Sequence, residues 1–109
     1  VTSNQHEVDD MYVVLTTKPG EFRTEMSTGV QPVETYDYIF YGRKRASFTI
    51  AKLTDQDQTR IRIVEDEPPQ IENNVPCKLF EKFSSVEDAR HELKTLTTYG
   101  SMDIQLKLV

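Results

Sequence analysis

The stretch TYDYIFYGRKRASFTIAKL, residues 35 to 53, decides how the chain folds. Its two halves, 35–41 and 46–53, are aromatic and β-branched, and such side chains pack well on a pleated surface. Between them GRKR reads as a four-residue hairpin loop over 42–45. Pairing Tyr41 with Ala46 across that loop sets Ile39 opposite Phe48 and Phe40 opposite Ser47. The polar run TDQDQT (54–59) is a second turn, and the strictly alternating RIRIVE (60–65) extends the hairpin into a three-stranded meander. Leu53 then pairs with Arg60, and Ile50 with Ile63.

This register predicts a core face of Ile39, Tyr41, Phe48, Ile50, Ile61 and Ile63. The other face, semi-exposed, carries Tyr36, Tyr38, Phe40, Ser47, Thr49, Ala51, Arg62 and Val64. Because side chains alternate with period two, a one-residue change in either loop exchanges the faces.

Working outward, MYVVLTT (11–17) reads as a strand ended by Pro19 and Gly20, and EFRTEMS (21–27) as its hairpin partner. TGVQPVE (28–34) reads as a connection. DEPPQIENNVP (66–76) reads as a long acidic loop, since proline donates no ladder hydrogen bond and fits neither a central strand nor a helix interior. SSVEDARHELKTLTTYG (84–100) carries helix signals: Ser84 and Glu87 as a capping box, acidic residues in the first turn, and Gly100 as a stop. Val86, Ala89, Leu93 and Leu96 form its apolar stripe. SMDIQLKLV (101–109) alternates as a half-buried strand. Residues 1–10 are polar and aperiodic, a flexible N-terminal segment.

The predicted fold is therefore α+β: a mainly antiparallel sheet or partial barrel of about six strands, with one helix at 84–98 followed by a final strand. Residues 11–109 are expected to form a single globular domain. The 109 residues suffice for one core without metals or disulfides. The 37% hydrophobic and 28% charged composition is that of a globular chain, and no apolar run approaches the ~20 residues of a membrane span. Cys77 is the single cysteine and there is no Asn-x-Ser/Thr sequon, which points to a reducing, cytoplasmic setting with the nucleus also open. The start at Val1, without an initiator Met or an apolar leader, sets the expectation of a segment from a longer intracellular protein.

A net charge of −5 opposes general binding to phosphate backbones. Arg43, Lys44 and Arg45 beside Tyr41 and Phe40 are the local exception, able to pair with phosphates while rings stack on bases. Three cations are few for an anionic lipid surface, and charges at a hairpin tip also deter edge pairing. Ser47 after RKRA resembles a basophilic kinase substrate, whose modification adds about −1.5 to −2 of charge. Tyr36 and Tyr38 read as strand aromatics. Asp55 and Asp57 mimic a calcium loop, but Arg60 stands where that loop needs glycine. His6, His91 and Cys77 lack zinc spacing. No cofactor motif, metal site or nucleophile–base pair is legible, so no enzymatic activity is expected.

Two functions remain. The first is a non-catalytic protein–protein interaction module that takes a peptide or partner domain on a sheet face or edge. The second is a nucleic-acid or phosphoinositide binder using Arg43, Lys44, Arg45 and Arg62 beside the face of Tyr36, Tyr38 and Phe40. The last strand, if left on an edge, also allows a homodimer.

Overall fold

The computed structural model describes residues 11–26, 29–54, 59–98 and 102–109. Its elements in chain order are β1 (Met11–Thr17), β2 (Phe22–Glu25), β3 (Val30–Phe40), β4 (Arg43–Leu53), β5 (Arg60–Glu65), β6 (Glu72–Pro76), a short 3-10 turn (Cys77–Leu79), α1 (Val86–Thr97) and β7 (Ile104–Leu108). Seven strands form two open antiparallel sheets, one in the order β1-β4-β3-β7 and one in the order β2-β5-β6. The helix precedes a final strand, as expected from sequence. The N-terminal ten residues and the Gly100 stop lie outside the described residues.

The β3–β4 hairpin differs from its expected form. Its loop is the pair Tyr41–Gly42, with φ of 50° and 77°. Positive φ at both central positions is the geometry of a type I′ turn, whose twist matches that of the flanking strands. Arg43, Lys44 and Arg45 therefore lie in β4, and Arg45 is absorbed where the register slips between Tyr38↔Ala46 and Ile39↔Lys44. Tyr36 now stands opposite Phe48, and Thr35 opposite Thr49. Relative to the expected pairing the shift is odd, so the two faces of β3 are exchanged. Tyr36 and Tyr38 join Phe48 and Ile50, while Ile39 turns to the face of Ser47 and Thr49.

The second departure is β1, which takes the place beside β4 that was expected of β5. Val13 and Leu15 on one face of β1 are buried, and Val14 on the other packs toward the helix, so this strand needs cover on both sides. RIRIVE is different. Ile61 and Ile63 reach the core between the sheets, while Arg62 faces out between Glu25 Oε1 at 3.2 Å and Glu72 Oε2 at 2.7 Å. It suits the middle of a smaller sheet. β2 accordingly pairs with β5 rather than β1, to which it is tied by the Lys18↔Phe22 bridge and by Thr24, whose hydroxyl donates to the Thr16 carbonyl at 2.5 Å.

Two segments read as loops are partly strand. Val30 begins β3, and Pro32 is tolerated because β7 reaches only Tyr36–Phe40, leaving Pro32 on an unpaired edge next to a bulge. Residues 72–76 form β6 on β5, so the acidic loop shrinks to 66–71. There the Gly20 amide donates to Asp66 Oδ2 at 2.9 Å and fastens the loop to the β1–β2 turn.

The four-stranded sheet is covered on both faces. Val13, Leu15, Val30, Ala51, Leu53, Ile61 and Cys77 form the core against the smaller sheet. Ile50, Ala89 and Leu93 form the core under α1, with Tyr12, Val14, Tyr36, Phe48, Phe83, Val86 and Leu106 packed around them. The helix begins one residue later than expected: Ser85 is the N-cap, accepting from the Asp88 amide at 3.0 Å, while the Ser84 hydroxyl donates to the Asp88 carboxylate. The segment before it returns to the sheet, where Tyr12 and Phe83 exchange two backbone hydrogen bonds of 2.8 Å across the outer edge of β1.

Candidate interaction edge

The opposite edge of the same sheet is β7. The Asp103 carbonyl accepts from the Tyr41 amide at 2.8 Å, and the Val109 amide donates to the Thr35 carbonyl at 2.9 Å. Both of these odd-numbered positions face β3. With the two-residue alternation of an antiparallel ladder, the N–H and C=O groups of Ile104, Leu106 and Leu108 point away from the sheet. Among the described residues no strand pairs with that side. Leu108 leaves 59% of its surface exposed.

Beside this edge lies a groove of about 380 Å³ between α1 and β7, lined by Tyr36, Arg90, Leu93, Lys94, Thr97, Thr98, Ile104 and Leu106. Its floor is apolar. Leu93 faces the sheet, and Ile104 and Leu106 come from the same face of β7 as their neighbours Phe40 and Tyr38 on β3. The Thr97 and Thr98 hydroxyls turn back to the helix, donating to the Leu93 and Lys94 carbonyls at 2.7 and 2.6 Å. They add little polarity to the groove.

One wall is fixed by an ion pair that sequence reading did not anticipate. Arg90 Nε donates to Glu34 Oε1 at 2.8 Å, its Nη2 bonds Oε2, and the Tyr36 hydroxyl donates to Oε1 at 2.8 Å. The Arg90 guanidinium, then the Tyr36 hydroxyl, hold the Glu34 carboxyl down to about 2. Burial, with the Glu34 carboxylate beside it, pushes the Tyr36 phenol up, and Arg90 is pushed up by the same carboxylate. Near neutral pH all three keep their usual charge states. The arrangement ties helix to strand at the Val33 bulge and offers no group poised to move a proton.

The expected site residues separate in space. Tyr36 lines the groove. Tyr38 and Phe40 continue the same face as an aromatic row, Tyr38 lying edge-on to Phe48 at 5.8 Å and Phe40 edge-on to Tyr41 at 4.7 Å between centroids. Arg43 stands opposite Phe40 at the exposed end of this row. Lys44 lies on the other face, 3.2 Å from Asp37 Oδ1. Arg62 belongs to the smaller sheet, so it cannot complete a basic site beside Tyr36, Tyr38 and Phe40 as the meander reading required. Ser47 is held in a central strand between Thr17 and Asp37, and its hydroxyl donates to Asp37 Oδ1 at 3.3 Å.

Glu34, Arg90, Lys94, Ile104, Leu106 and Leu108 escaped the sequence reading as site residues. The alternation of β7 was legible, but nothing local says which of its sides meets β3. Among the described residues no three His, Cys, Asp or Glu side chains gather to hold a metal, and no helix is long and apolar enough to cross a membrane. No protein-family model matches the chain, and no curated protein or solved structure matches it significantly.

Proposed function

We infer that this is a non-catalytic protein–protein interaction module that takes up an extended segment of a partner as an additional strand on β7. The observation that supports the reading most is the row of outward N–H and C=O groups at Ile104, Leu106 and Leu108. Strand addition draws affinity from such main-chain groups and specificity from pockets that receive every second side chain. The α1–β7 groove stands where those alternate side chains project. Its apolar floor of Leu93, Ile104 and Leu106 favours aliphatic residues at those alternate positions of the incoming segment.

The test is selection of peptides from a random library, followed by amide hydrogen exchange of the complex. Selected peptides should slow exchange at Ile104, Leu106 and Leu108. Leu108→Pro removes one outward N–H and leaves the bonds to β3 in place, so it should weaken binding about tenfold. Peptides that protect other amides, or bind the proline variant equally well, would remove the reading.

A second reading is favoured by Tyr41, which stands 59% exposed in the turn with Arg43 and Arg45 beside it. Ring and guanidinium together suit a single-stranded nucleic acid, with an anionic lipid headgroup as the weaker variant. Binding of an oligonucleotide should then fall with added salt and fall again in Arg43→Glu. Binding that ignores both leaves no basis for it.

A further inference from the structure

We propose that the strand taken up by β7 is β7 of a second copy of this chain, paired antiparallel about a two-fold axis at Leu106. The proposal rests on the edge reading above and names its partner. Two such edges exchange hydrogen bonds only where outward-facing residues stand opposite one another, which leaves few registers. In the register centred on Leu106, Ile104 meets the second copy's Leu108, Leu106 meets its own equivalent, and Leu108 meets the second copy's Ile104. Every outward N–H and C=O of β7 is then used. Sliding by two residues in either direction leaves one outward residue of each β7 unpaired.

The side chains agree with that register. Ile104, Leu106 and Leu108 share one face, so the join carries an unbroken aliphatic row from one α1–β7 groove into the other. On the opposite face Gln105 stands across from the second copy's Lys107, so no like charges lie directly opposite. Lys107 on its own would discourage pairing to a basic strand. Against Gln105 it finds a carbonyl acceptor. The same surface patch serves both copies, as a two-fold interface requires.

Sedimentation equilibrium of the full chain from low micromolar to near-millimolar concentration tests this. The mass should rise from the 12.6 kDa of one chain towards twice that value. Gln105→Lys places a cation opposite each Lys107 and should raise the dissociation constant roughly three- to tenfold. Adding Lys107→Glu to that variant should bring the constant back to the wild-type value or below. Both positions are exposed, but Lys107 also stands opposite Asp37 of β3, so circular dichroism checks that each variant keeps the wild-type fold before its constant is read. A chain that stays monomeric throughout, or a dimer indifferent to the charge exchange, overturns the proposal. If the chain is monomeric while selected peptides still protect Ile104, Leu106 and Leu108, the self-pairing falls and strand addition stands. If those amides are protected by neither a peptide nor a second copy, both fall.

Discussion

Ile50 and Ala51 are neighbours in the chain, both fully buried, and they belong to different cores: Ile50 packs under α1 and Ala51 against the smaller sheet. Adjacent strand residues point to opposite faces, so complete burial of both means that β4 is covered on each side. The adjacent apolar pair Ile50 and Ala51 breaks the alternation that a half-solvated strand would show, and this is why.

Substitutions in the two cores should be independent of one another. Ile61→Val and Leu93→Ala lie on opposite sides of the four-stranded sheet, so their destabilisations should add to within about 0.5 kcal/mol. Ile50→Val and Leu93→Ala share one cluster and should depart from additivity by about 0.5 kcal/mol or more. Leu93→Ala alone should cost about 2–5 kcal/mol. Urea denaturation of the single and double variants gives these values.

Ser85, not Ser84, should prove to be the cap. Ser85→Ala removes the acceptor for the Asp88 amide and should cost about 1 kcal/mol. Ser84→Ala removes only an exposed contact with the Asp88 carboxylate and should change stability by less than about 0.5 kcal/mol. Thermal melts of the two variants, run side by side, decide it.

Glycine replacements should rank by what surrounds them. Gly42 has φ of +77° and open space around the position of an added Cβ, so Gly42→Ala bears only the backbone cost of ~1–2 kcal/mol. Gly29, at φ +92°, would also drive that Cβ into the Thr59 hydroxyl, and Thr59 is buried. Gly29→Ala should therefore be the more destabilising, a ranking that denaturant midpoints read directly.

The Glu34–Arg90 pair predicts a pH dependence of definite sign. Glu34 is held down to about 2 in the folded chain, below the ~4.3 of an unperturbed glutamate. A depressed carboxylate contributes stability above its unfolded value and loses it as pH falls through the folded value. The stability difference between wild type and Glu34→Gln should thus be constant above about pH 5 and narrow steadily from about pH 4 towards 2. A difference that widens on acidification would contradict the ion-pair geometry.

Element types were largely legible because their signals are local. The helix carries its cap, its stripe and its acidic first turn within fourteen residues, and β7 alternates without interruption. Pairing was not legible. Tyr41–Gly42 forms the turn, yet tyrosine is not a residue whose chemistry announces positive φ, whereas GRKR has the polarity of a loop. The two-residue turn moves the register by four and the bulge at Arg45 takes one back, so the net shift of three, and with it the faces of Tyr36 and Tyr38, came from turn and bulge together. The choice of β1 over β5 as the neighbour of β4 rests on which strand requires cover on both sides, a demand that appears only when all layers are assembled. Glu34 and Arg90, 56 residues apart, meet only after that assembly.

The two margins of the larger sheet are unequal. On β1, Tyr12 is occupied by Phe83 and the Thr16 carbonyl by Thr24, whereas β7 offers three successive outward residues. A sheet with two receptive margins can keep recruiting copies and grow into a fibre. One receptive margin can recruit once, so the self-pairing proposed for β7 would use up this sheet's receptive margin at two copies.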